Sequence, residues 1–191
     1  PYIISWTVAV FMYTVATIAL VSGLINGWNY INFGIFYFFG GITNVPAFGI
    51  GSAYLIFDNN KVNVITGLYV LFVLGAMFSI FTSGIPDFSN IQGIPEGSQL
   101  YEISGPRMWA ILGNSFGSIS LVGIAAYSIY KFRRVDEDLV TTNVLIVVGS
   151  FSPALSGVLL ALGDSASKTL SLLVGMFLIY LGYRVSQRPK I

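Results

Sequence analysis

The chain has 191 residues, of which 55% are hydrophobic and only 9% charged, with nine Lys+Arg against eight Asp+Glu. A soluble domain carries roughly a quarter charged residues; this composition, with a mean hydropathy of +0.80, reads as an integral membrane protein. The chain has neither His nor Cys, which excludes a disulfide framework, a thiolate or imidazole metal site, ordinary haem ligation and His-dependent proteases. No catalytic residue, metal ligand or cofactor is therefore expected.

Six apolar runs match the ~20 residues that a membrane span requires. They lie near 5–25, 31–57, 62–84, 107–130, 139–162 and 169–183. The expected fold is all-α, one transmembrane domain over 1–191 built as a bundle of six transmembrane helices. The first run lacks a basic leader and exceeds a signal-peptide core, so it reads as a mature span. The second contains Pro46, just after Thr43 and Asn44. A proline there removes a helical hydrogen bond and predicts a tilt or kink. Pro153 predicts the same in the fifth run. Asp58, Asn59, Asn60 and Lys61 form a tight polar hairpin between the second and third runs.

The connection at 85–106 is the long one, with Asp87, Glu96 and Glu102 and no base before Arg107. Loops of that length are lids, binding loops or weakly ordered segments. Further on, Lys131, Arg133 and Arg134 close the fourth run, and Asp136, Glu137 and Asp138 open the fifth. Each sign complements the adjoining helix dipole, which accounts for the cluster without a regulatory role.

With six spans both termini share a side. Lys61, Lys131, Arg133, Arg134, Arg184, Arg188 and Lys190 fall on that side; Arg107 and Lys168 fall on the other. The positive-inside rule then predicts cytoplasmic termini and an outward-facing long loop. Trp6, Trp28, Tyr30, Trp109, Tyr130, Tyr180 and Tyr183 lie near span ends, where interfacial aromatics belong.

No Asp, Glu, Lys or Arg lies in the middle of a run. Such residues mark pumps, proton-coupled carriers and carboxylate proteases, so those classes are disfavoured. The intramembrane polar groups are Asn44 and Asn114, with Asn143 nearer the cytoplasmic end. Asn44, Pro46, Asn114 and Arg107 are the candidates for ligand or interhelical polar contacts. Arg107 is read as an interfacial anchor or a partner of Glu102. Small residues give the strongest positive signal. Ala110, Gly113, Gly117 and Ser120 recur at steps of three and four, which aligns them on one helix face and predicts a packing seam. Gly149, Ser152 and Ser156, and Ser171, Gly175 and Gly182, form similar sets in the last two runs.

The runs 44–55 (NVPAFGIGSAYL) and 112–128 (LGNSFGSISLVGIAAYS) resemble those of small prokaryotic polytopic membrane proteins of uncharacterised function. The resemblance implies a bacterial or archaeal cell membrane and supplies no activity. The reading favoured by the residues is a non-enzymatic membrane component, a helix-packing subunit of a larger complex or a homo-oligomer. Its expected partners are the lipid bilayer and other membrane subunits or further copies of itself, with no nucleic acid. The alternative is a carrier or channel for a neutral or apolar small solute, using Asn44, Pro46 and Asn114. A weaker third is an enzyme acting on lipid through the long loop.

Overall fold

The structure, a computed structural model, describes residues 2–89, 91, 93–132, 137–138, 140–145, 147–149 and 165–186. All secondary structure among these residues is helical. Among the described residues, four helices are long and apolar enough to cross a membrane, which supports a transmembrane protein. The chain forms two compact units, Pro1–Ser120 and Leu121–Ile191.

In the first unit α1 covers Tyr2–Asn26. A turn at Gly27, held at φ +85°, returns the chain into the second membrane-length helix. Glycine suits this left-handed backbone because it has no Cβ to clash. The second helix begins as α2 (Tyr30–Phe36), continues as a π-helical segment (Tyr37–Thr43) and ends as α3 (Asn44–Ile56). Its start is fixed locally. The Asn29 Oδ1 accepts hydrogen bonds from the Ile31 and Asn32 amides, and the Asn32 Oδ1 accepts one from the Asn29 amide at 2.9 Å. This reciprocal box satisfies donors that a helix N-terminus leaves unpaired. The π segment ends at Thr43, three residues before Pro46.

Asp58 caps α4 (Asn59–Thr82) by accepting from the Asn60 amide at 2.9 Å, and its negative charge sits at the positive end of the helix dipole. The connection 83–105 contains a short helix, α5 (Gly97–Leu100), and leads into α6 (Pro106–Phe132). Neighbouring contacts fix the directions. Gly40 meets Ala16 and Gly51 meets Trp6, so α1 runs antiparallel to α2–α3. The Tyr69 hydroxyl reaches Thr43 and the Tyr54 hydroxyl reaches Asn63, so α4 is antiparallel to α3. The start of α6 is parallel to α3 and antiparallel to α4, as Gly49 against Ser120 and Gly75 against Trp109 show.

The densest core lies at the loop end of this unit. Phe33, Tyr37, Ala76, Ile80, Tyr101 and Ala110 are buried there. The loop contributes Phe88 and Tyr101, whose rings lie 5.6 and 5.7 Å from that of Phe33. The Trp28 indole N–H donates to the Gly93 carbonyl at 2.7 Å and ties the loop down. Outward faces are apolar instead: Ile4, Phe11, Ile18, Leu68, Phe78 and Ile119 are all exposed. Contiguous apolar surface of this kind is rare on a soluble monomer and ordinary against acyl chains.

The three tryptophans do more than mark span ends. Each ring lies where a glycine omits its side chain: Trp6 against Gly51, Trp28 against Gly23, and Trp109 against Gly75. The second unit holds the end of α6, α7 (Val140–Gly149) and α8 (Ser165–Ser186). Within it the Asn143 Nδ2 donates to the Ser128 Oγ at 2.9 Å, and the Thr142 hydroxyl donates to the Gly182 carbonyl at 3.1 Å. Pro153, Ser152, Ser156 and most of the predicted fifth span lie outside the described residues.

Candidate functional site

Pro46 organises the polar centre of the first unit. It has no N–H to donate, so it leaves an earlier carbonyl of its own helix without a partner. In α register that carbonyl belongs to Ile42, four residues back; in π register it belongs to Gly41, five back. The neighbouring helices cover both. The Asn114 Nδ2 on α6 donates to the Gly41 carbonyl at 2.7 Å. Gly113, the preceding residue, lies directly over the Ile42 carbonyl, and a Cβ built there would sit 2.5 Å from that oxygen. On α4 the Tyr69 hydroxyl donates to the Thr43 carbonyl at 2.7 Å. The Thr43 hydroxyl donates to the Phe38 carbonyl five residues back at 3.0 Å, which follows the π register.

The small residues of α6 make this cladding sterically feasible. A Cβ on Gly117 would lie 2.6 Å from the Pro46 nitrogen and from the Val45 carbonyl carbon. These are backbone atoms and cannot swing aside. One turn further, a Cβ on Gly49 would lie 3.0 Å from the Ser120 Cβ. Ala110, one turn earlier, is buried in the aromatic cluster. The structure thus sets Asn114, Gly113, Gly117 and Ser120 of α6 against the second helix between Gly41 and Gly49, including Pro46, and places Ala110 in the aromatic cluster.

Two candidates behave differently. Asn44 is buried at 5% exposure, yet its Oδ1 has no hydrogen-bond partner among the described residues. Arg107 lies in the first turn of α6. Its charge acts on Tyr37 at the loop end, away from the Pro46 contact. Among the described residues, no three acids gather to hold a metal ion.

Sequence reasoning missed Tyr69, Thr43, Gly41 and Ile42. Counting back four and five residues from Pro46 would have pointed to the last two. Nothing in the sequence marks Tyr69, because its role depends on the placement of α4. In comparisons with known proteins, no family model, no curated protein and no solved structure matches the chain.

Proposed function

We propose that the chain is a non-enzymatic, six-span membrane component whose work is packing: a subunit of a larger assembly or a homo-oligomer, with both termini cytoplasmic. The observation that carries this reading is the commitment of Asn114. Its Nδ2 donates to the backbone carbonyl at Gly41, as interhelical packing requires. The Tyr69 hydroxyl serves Thr43 in the same way. Gly67 adds support for an external helix partner. It lies within α4 with nothing within 4 Å of a built Cβ, and a mid-helix glycine costs about 0.5–1 kcal/mol relative to alanine. In membranes such small positions permit close helix approach. The two final spans of the proposal are the run at 139–162, where α7 lies, and the run at 169–183 within α8.

The carrier reading has one observation in its favour, the unpartnered Asn44 oxygen. Thiol labelling separates the two, because the chain contains no cysteine of its own. An Asn44→Cys variant in sealed membranes should resist a small, impermeant thiol reagent from either side. Rapid labelling would show a water-filled path to the membrane centre and would favour the carrier.

A further inference from the structure

We propose that Asn26 is a self-modifying site: it loses its side-chain amide to attack by the Gly27 backbone nitrogen, and the aspartate or isoaspartate formed loosens the long loop at 83–105. Asn26 ends α1, and Gly27 opens the turn that follows. With 25 residues, α1 rises roughly 37 Å against a hydrocarbon thickness of ~30 Å. Its end at Asn26 therefore reaches water, the co-reactant. Both residues are exposed. Gly27 has φ +85° with nothing within 4 Å of a built Cβ, so the turn is open around it. Its N–H makes no hydrogen bond among the described residues, whereas the residues that close α3 and α4 donate back to Ala53 and Ile80. The Asn26 side chain makes none either.

Asn26 is the one asparagine that precedes a glycine, so no side chain hinders the approach of the nitrogen. Asn59 is exposed as well, but the amide that follows it, the Asn60 N–H, donates to the Asp58 Oδ1 at 2.9 Å. The reaction needs only water. The Gly27 nitrogen gives its proton to solvent and attacks the Asn26 Cγ. The N–Cγ bond closes a succinimide, the Cγ–Nδ2 bond breaks, and Nδ2 leaves as ammonia with a proton taken back from solvent. Water then opens the ring. Opening at Cγ leaves aspartate; opening at the backbone carbonyl routes the main chain through Cβ and Cγ and leaves isoaspartate. Residues 1–57 contain no charged side chain. The product puts an anion at the C-terminal end of α1, where the helix dipole is already negative. Two residues on, the Trp28 ring covers Gly23 and its indole N–H holds the Gly93 carbonyl at 2.7 Å. An altered main chain directly before Trp28 shifts that anchor, and with it the loop.

The test ages the full chain, purified in mild detergent, in mildly alkaline buffer made with heavy-oxygen water. Peptide mass spectrometry then follows residues 26 and 59. Asn26 should convert at least about tenfold faster than Asn59, because its attacking amide has no hydrogen bond to give up. The product should carry one heavy oxygen and include isoaspartate, and mildly acidic buffer should slow its formation. Asn26→Gln should block it, since the longer side chain cannot close the same ring. Release of the loop is read by a glutamate-specific protease cutting after Glu96, which is exposed in the loop. Cleavage should rise about two- to fivefold on ageing, the effect of one unfavourable charge at a helix end. The aged Asn26→Gln chain should cleave at the unaged rate. The native chain is folded before ageing, so the result does not depend on a variant that misfolds. Conversion at Asn26 no faster than at Asn59 would overturn the site. Equal cleavage after Glu96 in converted and fresh chain would overturn its effect on the loop.

Discussion

Asn44 and Asn114 carry the same amide, and their surroundings give them opposite energetic roles. Asn114 donates to a carbonyl that Pro46 leaves open. Replacing it with leucine strands that carbonyl in an apolar medium, at a cost of about 1–2 kcal/mol. Asn44 holds a buried oxygen with no partner, so Asn44→Leu should be neutral or stabilising. Thermal unfolding of both variants in one detergent checks the contrast, and equal losses would contradict it. Gly117→Leu must displace the Pro46 and Val45 backbone and should cost about 1–3 kcal/mol. Ile119 is 73% exposed, so Ile119→Leu should change the melting point little. The stripe of small residues containing Gly117 is visible in the sequence as steps of three and four. Its partner is not, because that depends on where α3 and α6 meet.

The elements differ in how much of them a sequence reader could see. The four membrane-length helices announce themselves by uninterrupted apolar length. The π segment does not, because Tyr37–Thr43 has an ordinary helical composition and its wider register is set by Pro46 and the helices around it. The long loop was legible as a connection and not as part of the core. Its aromatic anchors, Phe88 and Tyr101, are isolated among turn residues and gain meaning only against Phe33. Tyr101 gives the loop a measurable pH response. Burial, followed by the nearby phenols of Tyr30 and Tyr37, pushes its hydroxyl from 10.0 to about 12. The hydroxyl has no partner of good geometry, and the nearby Ser83 donates its own hydrogen to the Ile80 carbonyl. Folding thus favours the protonated phenol. The stabilisation is complete below pH 10 and is lost as the pH rises through about 12. Melting curves between these values should fall more steeply for the native chain than for Tyr101→Phe; parallel curves would show that the loop does not depend on this group.

The proposed function has two parts for the whole molecule, six crossings and an assembly. The crossings are testable by single cysteines. Positions 60 and 133 should be protected from an impermeant thiol reagent in intact cells, and position 92 should react. The basis is the excess of bases on the side of the termini, seven of the nine, and the reverse pattern would invert the topology. The proposed assembly takes its support from the polar centre: its donors serve the carbonyls of Pro46's helix, and the small residues let α6 reach them. The direct measurement is the mass of the particle after gentle detergent extraction, with the identity and stoichiometry of whatever accompanies the 20.7 kDa chain. The account predicts a fixed multiple of the chain or a stoichiometric complex with other membrane subunits. A solitary monomer with bound lipid and a water-accessible Asn44 would contradict it.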